Sequence, residues 1–342
     1  MTKAAALQRL QSLGSGTADS RALRAAALAE IGRVVPFDAY VWPLTDPETS
    51  VGVAPLASVP PALMPELPRL IRLKYQSRVN HWTGLTAAAR LDEPAASLLW
   101  RELLRDHEVT DIASVAFRDR YGCWAFLDLW RIGGTYTPGE LAFLDAATAP
   151  LTEQLRRCVA ACFSTAGSTV ARDPGPVMLL LDPGLRVIGQ TPQTHDYLHR
   201  LLPGTTPDPV PAAAYNVAAQ LLATEAGATT DPPLARMHLA GGRWLTMRAA
   251  RLGPTADSDT QIAVTVEDSP VPDRTAVFAR ACGLAARETE LLHHVTTGAD
   301  TRTVAARMFL SENTVQDHLK SIFNKTGTRS RRALLSRAAG TG

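Results

Sequence analysis

The stretch FLSENTVQDHLKSIFNKTGTRSR, Phe309 to Arg331, joins a helical apolar stripe to a polar face and a basic tail. Ser311 stands where an N-cap is needed, and Glu312 follows in the first turn, where an acid complements the helix dipole. At about 100° per residue, Leu319, Ile322 and Phe323 fall on the side of Val315. Asn313, Gln316, Asp317, Lys320 and Asn324 fall opposite. That outer face holds amides, a lysine and an acid, the groups that read base edges. Amides suit adenine, lysine suits guanine, and a carboxylate accepts from cytosine. Lys325, Arg329, Arg331 and Arg332 lie around it, available for phosphates. Taken alone, such a helix also reads as an ordinary solvated surface.

The neighbourhood argues for a nucleic-acid partner. Arg287–Thr297 reads as a helix ended by Gly298, and Thr301–Phe309 as a second, capped by Asp300 or Thr301. Leu310-Ser311 makes a turn as tight as a helix-turn-helix requires. A fourth helix, Arg332–Ala338, follows Gly327. Charge is concentrated here: residues 282–342 carry nine Arg or Lys against five Asp or Glu, while the whole chain is only +2. A basic end on a mildly acidic body fits an anionic partner for that end.

Gly283–Ala338 resembles the C-terminal helix-turn-helix of the LuxR family, the type shared with NarL and FixJ regulators. The matching residues include Leu284, Arg287-Glu288, Gly298, Val304-Ala305, Ser311, Thr314-Val315, His318-Leu319, Ile322, Lys325, Gly327 and Arg329-Ser330-Arg331. The resemblance implies that Gln316, Asp317 and Lys320 face bases and that Thr314, Lys325 and Arg329 lie near phosphates. With the helix wheel, the candidate DNA contacts are Ser311, Asn313, Thr314, Gln316, Asp317, Lys320, Lys325, Arg329 and Arg331. The chain departs from the family at Ala285-Ala286, where a capping Thr or Ser is usual. It also departs at Gln316, where Lys or Arg is common, at the acidic Asp317, and at Thr326 and Thr328, which replace an apolar pair.

Outward from this segment, 342 residues suggest two or three domains, and 46% apolar residues suffice for proper cores. Two seams divide the chain: Ser164–Pro176, rich in small residues, and Asp268–Arg274, with two prolines. The expected domains are 1–163, 175–267 and 275–342. In the first, Arg21–Val34, Leu67–Gln76, Ala96–His107 and Glu140–Val159 have helical spacing. Phe37–Leu44, Ser50–Ala57, Ile112–Phe117 and Cys123–Ile132 read as strands of an α+β domain, the last two as a hairpin. In the second, PVMLLLDPGLRVIGQ reads as strand, turn, strand, THDYLHRLLPG as a helix, and two further strands close the unit. By element order the first segment is similar to a GAF domain, an α/β/α sensor. The second is similar to a PAS domain. The expected fold is therefore α+β, with a GAF-like sensor, a PAS-like centre and a four-helix C-terminal domain.

The Cys123–Ile132 alternation places Trp124, Phe126, Asp128 and Trp130 on one side and Cys123, Ala125, Leu127 and Leu129 on the other. Asp128 is then either a ligand anchor in a pocket or an acid at the sheet rim paired with an arginine. Candidate ligand contacts are Tyr40, Trp42, His81, Trp82, Trp124, Phe126, Asp128 and Trp130, with plain core packing as the alternative for the aromatics.

Other classes find no support. The four cysteines form no CxxC pair, and His81 and His195 have no second histidine at metal spacing, so neither a metal nor a cofactor is expected. No GxxxxGK[ST] loop, phospho-receiver set or nucleophile–base set points to an ATPase, receiver or enzyme. The N-terminus lacks an apolar signal region and the longest aliphatic run is Val177–Leu181, so a cytoplasmic chain without a membrane span is expected. The sequence thus points to a homodimeric regulator of double-stranded DNA, gated by a small-molecule effector. The alternative is a signalling adaptor whose tandem sensors bind a protein.

Overall fold

The computed structural model describes residues 2–15, 19–163, 176–201, 211–239, 243–253 and 260–339. Two five-stranded antiparallel sheets and a C-terminal helical region make up the architecture. The first sheet contains β1 (Ala39–Thr45), β2 (Gly52–Ser58), β3 (Ala89–Arg90), β4 (Asp111–Asp119) and β5 (Gly122–Arg131), in the order β2-β1-β5-β4-β3. The second contains β6 (Val177–Leu181), β7 (Val187–Gln190), β8 (Leu234–Leu239), β9 (Arg243–Arg251) and β10 (Ile262–Asp268), in the order β7-β6-β10-β9-β8. Counted within each unit, the two orders are the same.

Both faces of the first sheet are covered, as its apolar strands require. One face packs on α1 (Lys3–Ser12), α2 (Ser20–Gly32) and α5 (Pro138–Ala161). In α5, Pro138 occupies the first turn and Thr137 and Glu140 form a capping box. The other face packs on α3 (Leu67–Gln76), α4 (Leu98–Glu102) and α7 (Ala212–Glu225). The expected helix Ala96–His107 is broken, because Leu103 leaves helical geometry between α4 and a one-turn helix at Leu104–His107.

The second unit adds α6 (Pro192–Leu201) and α7. Helix α7 is buried along almost its whole length, and its alanines let both sheets approach it. One continuous apolar core therefore runs from the first sheet through α7 into the second. The turn after β1 also plugs into the second unit. Asp46 is fully buried and accepts from the Arg236 amide at 2.8 Å and its guanidinium at 2.7 and 2.8 Å. Burial pushes the Asp46 carboxyl up, but the Arg236 bonds outweigh it and hold it below its ordinary value.

The Asp268–Arg274 seam is a helix start rather than a linker. Pro270 and Pro272 sit at the cap and first turn of α8 (Val271–Ala281), where the missing amide hydrogens would have no partner anyway. The Ser164–Pro176 seam lies, apart from Pro176, outside the described residues. Among the described residues, no helix is long and apolar enough to cross a membrane.

Candidate nucleic-acid interface and sensor cavity

The terminal region consists of α9 (Ala286–Thr296), α10 (Thr301–Met308), α11 (Glu312–Thr326) and α12 (Arg331–Ala339). Asp300 accepts from the Thr303 amide at 2.7 Å and Ser311 from the Thr314 amide at 3.1 Å, so α10 and α11 are each capped by a side chain. Ala285 has no side-chain acceptor for α9, but Glu288 accepts from its amide at 2.6 Å, which keeps half of a capping box. Between α10 and α11, Phe309 takes a left-handed conformation (φ 56°) with its ring exposed.

Val315, Leu319 and Ile322 are buried against the other helices, which turns the opposite edge of α11 outward. Ser311, Asn313, Gln316, Asp317, Lys320, Lys325 and Arg329 are exposed; Thr314 and Arg331 are half-buried. The Gln316 amide reaches the Thr301 hydroxyl at 3.4 Å, and Lys320 sits 3.2 Å from Asp317 with both side chains 74% exposed. The Ser311 and Thr314 hydroxyls bond each other at 2.8 Å, and two of the basic candidate phosphate contacts also have partners inside the domain. Lys325 is 2.6 Å from Glu288, and Arg331 donates to the Ala299 carbonyl. Arg329 has no partner among the described residues.

Glu288 joins α9 to α11. It accepts from Ser321 and Lys325, each at 2.6 Å, as well as from the Ala285 amide. Burial pushes its carboxyl up, yet these donors outweigh burial and hold it below the ordinary value.

A second feature is a cavity of about 530 Å³ against the first sheet, lined by β1, β2, β5, α3, Arg21 of α2, Leu99 of α4, and Ala212 and Asn216 of α7. Its size and mainly apolar lining suit a small organic ligand. Val41, Met64, Leu67, Leu70, Ile71, Phe126 and Trp130 form much of its wall. Lys74 lies 2.7 Å from Asp128, which also accepts from Ser114 at 2.7 Å. The Lys74 ammonium sits 5.8 Å from the Trp82 ring centre and 5.6 Å from that of Phe126. Asn216 donates to the Gly52 carbonyl at 2.9 Å, tying α7 to β2 beside the cavity.

Of the eight candidate ligand residues, Phe126, Asp128 and Trp130 line this cavity. Trp82 stacks behind Phe126 at 4.4 Å, and His81 on Trp82 at 4.0 Å. His81 itself lines a separate cleft of about 380 Å³, and burial, followed by the Lys74 charge, pushes it down to about 4. Tyr40, Trp42 and Trp124 belong to the opposite face: Trp42 stacks on Phe117 at 5.1 Å, and Trp124 donates to Asp119 at 3.0 Å. The expected alternation fails at the start of the strand, where Cys123 and Trp124 exchange faces. Phe117 pairs with Ala125 and Arg118 with Cys123, so Trp124 is the extra residue of a bulge and turns over. Asp128 is paired with a lysine, not an arginine, and is buried rather than at the rim. The sequence reading missed Lys74. Its signal was a charge continuing the apolar stripe Leu67, Leu70, Ile71 on α3.

Residues 283–338 match the family described as bacterial regulatory proteins, luxR family. No curated protein matches the chain. Among solved structures, SdiA in complex with octanoyl-rac-glycerol is 13% identical, covering 99% of this chain and 94% of its own, with a TM-score of 0.35. A Vibrio cholera VqmA–ligand–DNA complex is 18% identical over 50% of this chain and 84% of its own, with a TM-score of 0.23. At TM-scores this low the likenesses carry no further argument. The family match and the two capped helices packed across a tight turn meet on the same residues: the C-terminal helical region of this chain is a LuxR-type helix-turn-helix domain.

Proposed function

We propose that the chain is a DNA-binding transcriptional regulator in which α11 enters the major groove and the cavity of the first unit takes a small-molecule effector. The observation that carries the first half is the outward amide-and-lysine edge of α11 inside a luxR-family domain. Gln316, Asp317, Lys320 and Asn313 face bases; Ser311, Thr314, Lys325, Arg329 and Arg331 contact phosphates. Lys320 leaves Asp317 to do so, which costs little for so exposed a pair. The protein acts as a homodimer on a two-fold site, with each copy supplying one recognition helix. The equal strand orders of the two sheets favour reading the units as a GAF-like and a PAS-like sensor.

The effector half rests on the cavity having a wall from each unit. Ala212 and Asn216 of α7 close it against β2, so an occupant bears on how the second unit docks, and through α8 on the helix-turn-helix domain.

Selection from a random-sequence duplex library tests the reading. Gln316→Ala and Lys320→Ala should each relax the selected sequence at distinct positions and leave the fold intact. If neither changes the selected sequence, the base-reading assignment is wrong.

A further inference from the structure

Resting on the reading of the first-unit cavity as the effector site, we infer that its ligand is a neutral, largely apolar molecule. It carries a hydrogen-bond acceptor such as a carbonyl at one end, taken by the indole N–H of Trp130 and the ammonium of Lys74. Three observations lead there. Trp130 lines the cavity, is 1% exposed, and its Nε1 has no hydrogen-bond partner. A buried indole N–H without a partner is a standing cost that an acceptor in the cavity removes. Lys74 also lines the cavity and has three donors, yet its partners among the described residues are Asp128 and the Trp82 and Phe126 rings. Asp128, in contrast, already accepts from both Ser114 and Lys74. The polar end of the site is therefore richer in unused donors than in unused acceptors.

The charge of the ligand's buried end follows from the pair, since the other charged residue of the lining, Arg21, is exposed to solvent. Lys74 and Asp128 together are neutral, and both are buried. A carboxylate ligand would place a second anion beside one buried cation and leave a net charge out of water. A ketone, ester or amide carbonyl accepts the same hydrogen bonds without that penalty. The remaining wall is mainly apolar, including Leu70, Ile71 and Phe126; of its polar side chains, Tyr75 and Asn216 are bonded to the Gly52 backbone, and Arg21 and Ser58 are exposed to solvent.

The test compares three probes of nearly equal shape: 2-decanone, its alkene isostere 2-methyl-1-decene, and decanoate. Affinities are measured on the full-length protein after native mass spectrometry confirms that no small molecule has co-purified. The ketone should bind about tenfold more tightly than the alkene, since only it satisfies the donors, and decanoate more weakly than the ketone. Trp130→Phe, which removes the N–H and keeps the ring, should narrow the ketone–alkene ratio while the alkene affinity holds. Ile71→Trp, which fills the cavity, should abolish binding of all three. Equal binding of ketone and alkene to the wild type, with Ile71→Trp blocking both, overturns the acceptor assignment and leaves the effector cavity standing. Failure of all three probes to bind, or binding that survives Ile71→Trp, overturns the cavity reading and this inference with it.

Discussion

Lys325 presents a choice between two roles at one residue. Its ammonium is 2.6 Å from Glu288, a carboxylate that is itself buried between α9 and α11. Lys325→Ala should therefore destabilise the terminal domain by roughly 1–3 kcal/mol, because Glu288 loses a donor it cannot replace with water. Adding Glu288→Gln should recover part of that loss but none of the lost DNA affinity. Thermal melts beside DNA titrations separate the two effects; a Lys325→Ala variant as stable as the wild type would remove the structural role. Phe309 poses the opposite case. It holds φ 56° and exposes its ring to solvent, so Phe309→Gly should raise stability by roughly 0.5–1 kcal/mol. A lower melting temperature for the glycine variant would contradict this and point to packing of the ring.

At the scale of the element, α11 and α7 make contrasting use of their surfaces. Helix α11 uses one apolar edge for the core and leaves the other exposed; on the proposed reading that edge meets DNA, and its basic neighbours should make binding salt-sensitive. Arg329→Ala should lower the salt slope of DNA binding by about one unit and weaken all sequences alike, as a phosphate contact does. If Arg329→Ala instead changed sequence preference, it would belong with the base-reading set. Helix α7 has little free surface at all. Ala214 is fully buried, and Ala214→Leu should overpack it by roughly 1–3 kcal/mol and loosen the docking of the two units. Proteolysis between the units, faster in this variant than in the wild type, is the expected readout.

Over the whole molecule, buried titratable groups set the response to pH. Burial pushes His238 down to about 4, as burial and then Lys74 do for His81. Both folded values lie below the ordinary 6.5, so on acidification the unfolded chain takes up these protons first. Their contribution to stability is complete above 6.5 and is lost as pH falls from there toward about 4. Denaturant melts at about pH 7.5 and about pH 5 should show the drop, and the His81→Gln, His238→Gln double variant should flatten it. A wild type equally stable at both pH values would contradict the assignment. Asp46 and Glu288, held below 3.8 and 4.5 respectively, keep their contributions until more acid conditions. The Asp46–Arg236 pair crosses between the units, so Asp46→Leu should cost about 3 kcal/mol by leaving the buried guanidinium with the exposed Glu48, at 2.7 Å, as its one carboxylate partner among the described residues.

Local chemistry made the terminal domain legible in the sequence. Caps at Asp300 and Ser311, left-handed glycines at 298 and 327, and the stripe Val315, Leu319, Ile322 all act within a few residues of one another. Helix α3 and the strands of both sheets other than β3 and β8 were readable for the same reason; β8 and the two-residue β3 went unread. What the sequence alone could not decide depended on neighbours distant along the chain. The bulge that turns Trp124 over exists only because β4 pairs with β5 in one register. The Lys74–Asp128 pair spans two elements that meet only when α3 lies on the sheet. Helix α7, rich in alanine and without a polar face apart from Asn216 and Gln220, found its place only between two sheets that bury most of its length. Side-chain periodicity and capping are set by the nearest residues and survive without the fold, whereas register, ion pairing and the walls of a cavity are set by which surfaces the packed chain brings together.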